Sequence, residues 1–189
     1  MIELCQLYDE SGKPIEGQGA PKTEIFKGAL HGAIHVWIWR LKLGRLEVLL
    51  QHRAPEKPTW PNHWGESVGG HISLGEKPEV TALRETQEEI GLKLQTAELV
   101  FILKHRGYFV AENGAIENEF RWVYAYRFEN ETKFKLEDKK VDAVEWRLLE
   151  VVEEDLADKK RQKNYLPQGA GYYSEVFGAI TKLARQQLK

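Results

Sequence analysis

One short segment carries acidic and basic residues whose types and spacing suit a cation-binding site. It runs Arg84-Glu85-Thr86-Gln87-Glu88-Glu89-Ile90-Gly91. On an α-helix, with about 100° between residues, its three glutamates lie within about a third of the circumference. Like charges at this spacing repel, and carboxylate oxygens are ligands that Mg²⁺ and Mn²⁺ prefer. The segment therefore favours a divalent-cation site, although an ordinary charged helix surface would show the same pattern.

A helix from Pro78 to Ile90 is predicted to hold these glutamates. Its apolar stripe falls at helical spacing and consists of Val80, Leu83, Thr86 and Ile90. Pro78 suits the first turn, and Gly91 suits the position just past the end. We expect the glutamates to face outward together, on the side away from the apolar stripe.

Strands and helices alternate along the rest of the chain. The sequence indicates a peripheral strand or hairpin in residues 1–29 and an irregular, non-core loop over 54–70. Strands are predicted at 33–40, 46–51, 99–104, 121–128 and 141–146. Helices are predicted at 148–157 and, at the C-terminus, 171–188. We expect one α/β domain over residues 1–189.

Bulk composition excludes several classes of protein. The 189 residues are 42% hydrophobic and 30% charged, with a net charge of −2. This charge offers no basic field for a nucleic acid polymer or a membrane surface. No apolar run approaches the roughly 18 residues that span a bilayer, and no secretory signal is evident. The lone Cys5 cannot form an internal disulfide. We expect a soluble, cytoplasmic protein.

The segment from Gly70 to Leu92 resembles the Nudix box, Gly-x5-Glu-x7-Arg-Glu-U-x-Glu-Glu-x-Gly-U, where U is a bulky aliphatic residue. Every fixed position matches, and Thr86 replaces one aliphatic residue. The resemblance implies the Nudix fold, an α/β/α sandwich around a mixed β-sheet. It also implies a hydrolase that uses Mg²⁺ or Mn²⁺ and water to cleave a diphosphate linkage.

The same resemblance assigns roles to individual residues. The metal ligands it implies are Glu85, Glu88, Glu89 and the backbone carbonyl of Gly69. Arg84 orients the carboxylates, and Glu76 fixes the loop. This chemistry agrees with the physics of phosphoryl transfer, which needs charge neutralisation and positioning.

Outside the box, the chain resembles the isopentenyl-diphosphate isomerase branch of the Nudix superfamily over roughly residues 24–150. The matching segments begin at His31, Leu49, Thr59, Ser67 and Ile116. In that branch, residues at the positions of His31, His71, Glu117 and Glu119 bind metal. The essential isomerase cysteine, however, is replaced here by Gly69. This replacement and the intact box favour hydrolysis over isomerisation.

Other candidate residues have simpler alternative interpretations. Glu117 and Glu119 share a face if they lie on a strand, and one could be a metal ligand or the general base; a solvated hairpin is the alternative. Arg53 could bind a phosphate, and His71 and Trp60 could contact substrate. The alternative for Arg53 is an ordinary surface arginine, the alternative for His71 is a structural histidine, and the alternative for Trp60 is aromatic packing within the loop.

Three hypotheses follow from the sequence. The first is a metal-dependent Nudix hydrolase of a small-molecule diphosphate, either a nucleoside diphosphate derivative or another organic diphosphate. The alternatives are an isomerase-like enzyme and a non-catalytic ligand-binding Nudix module. The sequence does not identify the substrate, and a homodimer is possible.

Overall fold

The computed structural model describes residues 3–129 and 132–187 of the chain. The ends of the predicted 1–29 and 171–188 segments lie outside these ranges. The strands are β1 (Leu4–Tyr8), β2 (Pro14–Pro21), β3 (His31–Lys42), β4 (Arg45–Arg53), β5 (Trp64–Gly65), β6 (Val68–His71), β7 (Val100–Val110), β8 (Ile116–Arg127) and β9 (Val141–Leu148). The helices are α1 (Lys22–Ile25), α2 (Pro78–Ile90), α3 (Leu149–Ala157) and α4 (Tyr172–Gln186). In the described ranges, no helix has the length and apolar character needed to cross a membrane.

Strand β3 organises the mixed sheet. It pairs in parallel with β8 and antiparallel with β4 and β6, and its first residue meets β1. Its first nine residues are buried, because both faces of the strand are covered. Ile34, Val36 and Ile38 pack into one core, and Trp37 and Trp39 pack into the other. β-Branched and aromatic side chains suit such a strand.

The two cores lie on opposite faces of the sheet. Helix α2 contributes Ala82 and Ile90 to the first core. Helices α3 and α4 contribute Val152, Phe177 and Ile180 to the second. The sheet is thus covered by helices on both sides, which confirms the predicted α/β/α sandwich.

Helix α2 has the predicted bounds, but the sides that it buries and exposes differ from the prediction. It ends at Ile90, and the next residue, Gly91, has a φ of 71°, the left-handed conformation that glycine adopts readily after a helix C-terminus. The expected apolar stripe is wrong at Val80, which is 46% exposed. The expectation that the glutamates face outward is also wrong, since Glu85 and Glu89 are 6% and 1% exposed. Strand β6 and basic side chains cover them, so their charge is balanced inside the protein.

The predicted loop over 54–70 contains two short strands. Strand β5 pairs with β4, and β6 pairs with β3 from Ala33↔His71 to Val36↔Val68. Val68 is fully buried, so the expectation that this segment stays out of the core is wrong at its end. The pairing of β6 places the first residues of the box against the middle of the sheet. Strand β8 is longer than predicted and includes Glu117 and Glu119.

Candidate active site

A cavity of about 260 Å³ lies between α2, β6 and the first residues of β3 and β8. Most of the site residues predicted from the sequence line this cavity: Arg53, Trp60, Gly69, His71, Glu85, Glu89, Glu117 and Glu119. Arg84 and Glu88 are not among its lining residues. The structure therefore brings two box glutamates, Glu85 and Glu89, and the glutamates of β8 into one cleft, whereas Glu88 and His31 lie outside its lining.

Two adjacent glycines in β6 let two carboxylates approach the backbone. A Cβ atom on Gly70 would collide with the side chain of Glu85. A Cβ atom on Gly69 would lie 2.6 Å from Oε1 of Glu66, closer than such atoms approach in proteins. Any larger residue at either position would displace a carboxylate from the cavity.

Glu89 is the most deeply placed of the box carboxylates. Its Oε2 accepts a hydrogen bond from Nε2 of Gln51 at 2.8 Å and lies 3.4 Å from the backbone nitrogen of Gly69. Its Oε1 is 3.5 Å from Nζ of Lys57. Burial lowers the pKa of Lys57, although the attraction of Glu89 opposes that shift. Glu89 is thus held by one neutral and one cationic side chain.

Glu85 and Glu88 are bridged by the same two cations. Arg84 Nη1 lies 2.8 Å from Glu85 and 3.3 Å from Glu88, and Lys140 Nζ lies 3.4 and 3.5 Å from them. Burial raises the pKa of Glu85 despite these partners. The Glu88 side chain is 45% exposed and projects towards the rim. Arg84 also binds Glu76 at 3.0 Å, a geometry suited to orienting carboxylates.

A second set of ligand atoms meets where β3, β6 and β8 lie side by side. One ligand atom each from His31, His71 and Glu119 lies within 4.8 Å of the others. His31 stands opposite Glu119 in the parallel β3–β8 pairing, and β6 adds His71 beside Ala33. Side chains from three distant parts of the chain converge here because the strand pairing fixes their register.

The environment of His31 leaves one ring nitrogen free to coordinate. Its Nδ1 lies 2.9 Å from the carbonyl oxygen of Ala29, which can only accept, so Nδ1 carries a proton and donates it. Its Nε2 is buried without a hydrogen-bond partner among the described residues. Nε2 is 3.4 Å from Oε2 of Glu119. A buried imidazole nitrogen that has no hydrogen-bond partner and faces a carboxylate fits a metal ion between them.

The charge states of the other two groups agree with coordination. Burial lowers the pKa of His71 to about 3, so the ring is neutral near pH 7. Burial alone would raise the pKa of Glu119, but Arg121, at 2.5 Å, together with His31 and His35, outweighs it and holds that pKa well below its usual range. Burial and the nearby Glu119 raise the pKa of Glu117. Neutral imidazole and ionised carboxylate are the forms that bind metals.

Basic side chains complete the cavity. Lys22, Arg53, Lys57 and Lys140 all line it. Arg53 is fixed by donating to the carbonyl oxygens of Thr59 at 2.8 Å and Trp60 at 3.1 Å. The three lysines were not predicted from the sequence, because no local pattern separates them from surface lysines. Such a set of cations can neutralise a bound diphosphate.

Sequence reasoning also missed the polar side chains His35, Glu66, Arg121 and Gln168 of the same cavity. The sequence carried a signal for two of them, because His35 and Arg121 stand in segments whose other residues are typical of buried strands. Trp64, a second tryptophan of the segment 54–70, does not line the cavity and packs on His52 and Arg147.

The fold, the box carboxylates and the cluster of His31, His71 and Glu119 are typical of a Nudix-type protein, and comparison with known proteins agrees. The NUDIX domain model matches residues 29–168. The chain belongs to the Nudix family.

Relatives carry both names that the sequence suggested. Nudix hydrolase 3 of Arabidopsis thaliana is 33% identical over 186 residues, which cover 94% of this chain and 23% of that protein. Isopentenyl-diphosphate Delta-isomerase of Paenarthrobacter aurescens (strain TC1) is 39% identical over 128 residues, 66% of each chain. The chain thus spans about a quarter of the first relative and just under two thirds of the second. The solved structure of DR0079 from Deinococcus radiodurans has a TM-score of 0.63 at 19% identity, covers 97% of this chain and 98% of its own, and shares the fold.

Proposed function

We propose that the protein is a Nudix hydrolase that cleaves the phosphoanhydride bond of a small organic diphosphate with the help of a divalent cation. The observation that carries this proposal is that one cavity is lined by Glu85 and Glu89 and also by His71 and Glu119, which form a cluster with the buried His31. Hydrolysis of a diphosphate requires carboxylates to hold metal and cations to receive the phosphates. Both features meet in this cleft.

The donor atoms suit a divalent cation at two places. The mixed nitrogen and oxygen donors of His31, His71 and Glu119 favour Mn²⁺, whereas the all-oxygen donors of Glu85 and Glu89 suit Mg²⁺. When bound, such ions polarise the phosphate and lower the pKa of a coordinated water. Arg53 and Lys57 would hold the diphosphate, and Glu85 and Glu89 would hold the cation that neutralises it.

Isomerase activity is the second candidate, favoured by the isopentenyl-diphosphate Delta-isomerase relatives. Two observations weigh against it. The Glu66 carboxylate fills the space that a side chain at Gly69 would need. Cys5 is fully buried outside the cavity, and burial raises the pKa of its thiol to about 11. Neither position therefore supplies a reactive thiol.

The deciding experiment measures phosphate products from a panel of nucleoside, sugar and isoprenoid diphosphates with Mg²⁺ or Mn²⁺. We expect metal-dependent cleavage by the wild type. Glu89→Gln keeps the shape but removes the charge, and we expect it to lower kcat by about 10²–10³. Glu153→Gln, at an exposed position of α3, serves as the matched control and should leave kcat unchanged.

The outcomes separate the candidates. Cleavage that persists undiminished in Glu89→Gln, or no cleavage of any substrate, contradicts the hydrolase proposal. Interconversion of isopentenyl and dimethylallyl diphosphate would establish the isomerase instead. Tight binding of a diphosphate without metal-dependent turnover would indicate a ligand-binding module.

A further inference from the structure

One wall of the cavity is polar although it is deeply buried. It consists of His35, Glu66, Arg121 and Gln168, which are 5%, 6%, 2% and 4% exposed. None of the four lies in the box. Small-molecule sites are lined mainly by apolar side chains, with a few polar groups that fix orientation and specificity. A wall with this many buried polar groups therefore points to recognition of polar atoms.

A chain of hydrogen bonds leads towards Glu66 from β3 and α4. The indole nitrogen of Trp37 can only donate, and it donates to the hydroxyl oxygen of Tyr172 at 3.1 Å. The Tyr172 hydroxyl then donates its own proton to Nδ1 of His35 at 2.5 Å. Burial lowers the pKa of His35 to about 3, so the ring is neutral and its proton lies on Nε2. Nε2 lies 3.5 Å from Oε1 of Glu66, beyond an ordinary hydrogen-bond length.

A second chain reaches Glu66 from β8. Arg121 Nη1 donates to Oε1 of Gln168 at 2.6 Å, which fixes the orientation of the amide. Nε2 of Gln168 then donates to Oε2 of Glu66 at 2.7 Å. Arg121 also donates to Glu119, so the same guanidinium supports both the metal-binding cluster and this wall.

Both chains lead towards the same carboxylate. Gln168 donates to Oε2 of Glu66, which leaves Oε1 of this cavity-lining residue to accept from a ligand. Burial raises the pKa of Glu66, and a carboxyl oxygen keeps the capacity to accept in either protonation state. Within the described ranges, no side chain donates a hydrogen bond to Oε1 of Glu66 that is shorter than its 3.5 Å distance from Nε2 of His35. Gly69 leaves that oxygen its space, since a Cβ there would lie 2.6 Å from it.

We propose that Glu66 determines specificity by accepting a hydrogen bond from a hydroxyl or amine on the non-phosphate part of the substrate. This inference rests on the proposed hydrolase function and narrows it: the favoured substrates are hydroxylated diphosphates, not purely hydrocarbon ones. A hydrocarbon substituent would cover the carboxylate without offering a donor. Sites built to bind a substrate hydroxyl reject the analogue that lacks it by up to about 10⁴-fold.

The test uses two substrates that differ by one hydroxyl, dimethylallyl diphosphate and its 4-hydroxy derivative, together with ADP-ribose as a larger hydroxylated diphosphate. Values of kcat and KM are measured with Mn²⁺ for the wild type, Glu66→Gln and Glu66→Met. Glu153→Met, on the exposed face of α3, is the matched control. Thermal unfolding checks that each variant folds, and if Glu66→Met does not fold, Glu66→Gln decides.

We expect the wild type to favour a hydroxylated substrate over dimethylallyl diphosphate by at least about 10-fold in kcat/KM. Glu66→Met should lower kcat/KM for the hydroxylated substrate by about 10- to 100-fold, mainly through KM, and should lower kcat/KM for dimethylallyl diphosphate by a clearly smaller factor. Glu66→Gln should fall between them, because the amide oxygen still accepts. The control should match the wild type.

Three results would overturn the inference. Equal or better cleavage of dimethylallyl diphosphate by the wild type would refute it while the hydrolase proposal stands. An equal loss on all substrates in the Glu66 variants would show a structural role only. Failure of the wild type to cleave any diphosphate would contradict both the proposed function and the inference. The absence of activity on every substrate distinguishes this result from the other two.

Discussion

Replacing Gly69 by alanine tests the packing of Glu66 directly. Gly69 does not adopt a positive φ, so alanine fits the backbone there. In a site with free space, this exchange would stabilise the protein by about 0.4–1 kcal/mol, because it restricts the unfolded chain. Any loss of stability in Gly69→Ala must therefore come from the new methyl group.

The size of that loss follows from the distances. The new Cβ would lie 2.6 Å from Oε1 of Glu66, whereas ordinary contacts begin at 3.4 Å, so the carboxylate must move by about 0.8 Å. That movement weakens the 2.7 Å hydrogen bond from Gln168. A buried acceptor left without its donor costs about 1–3 kcal/mol. After the backbone gain is subtracted, we expect Gly69→Ala to lower the free energy of unfolding by about 1–2 kcal/mol.

A double-mutant cycle with Glu66→Ala isolates this contact. Urea unfolding, followed by circular dichroism at pH 7 in EDTA, gives the free energy for each variant. In the Glu66→Ala background, Gly69→Ala should become neutral or stabilising, an interaction energy of about 1–3 kcal/mol. Gly178→Ala is the control, since a Cβ there has open space and should stabilise α4. Equal costs of Gly69→Ala in both backgrounds would refute the placement of the carboxylate.

Three further predictions concern the neighbouring groups. Arg121→Met strands the buried carboxylate of Glu119 and should lower the free energy of unfolding by about 3–5 kcal/mol, with a smaller loss when Glu119→Gln is present; equal losses would contradict the pairing. His71→Ala should weaken Mn²⁺ binding, measured by calorimetry, by at least about 100-fold, and unchanged affinity would exclude His71 as a ligand. The low pKa of His35, about 3, predicts that stability is greatest above pH 6.5 and falls towards pH 3, because only the unfolded chain binds the proton in that window. The share from His35 is about 2 kcal/mol between pH 7 and 5, so His35→Gln in EDTA should lose less stability than the wild type over that range, and parallel losses would refute the shift.

The helix of the box could be predicted from the sequence, because its signals are local. Periodicity, Pro78 in the first turn and Gly91 after the last depend only on neighbouring residues, and the structure has those bounds. The burial of Glu85 and Glu89 could not be predicted in this way. It depends on a strand and on Lys57 and Lys140, which approach from elsewhere in the chain.

The second cluster shows the same limit more sharply. The resemblance to the isomerase branch pointed to His31, His71 and Glu119 as metal ligands. Only the parallel pairing of β3 with β8 shows that Nε2 of His31 meets the carboxylate of Glu119. No propensity or local motif encodes the register between strands so far apart. Glu66 was missed for a similar reason, since the side chains that lead to it come from β3, α4 and β8, far from it in the sequence.

The pairing of His31 with Glu119 has a consequence for folding as well as for chemistry. An ion held by His31, His71 and Glu119 would join three strands that long stretches of chain separate. It would then act as a removable cross-link, with a strength set by the concentration of free metal. Occupancy of the site and assembly of the central strands would rise and fall together.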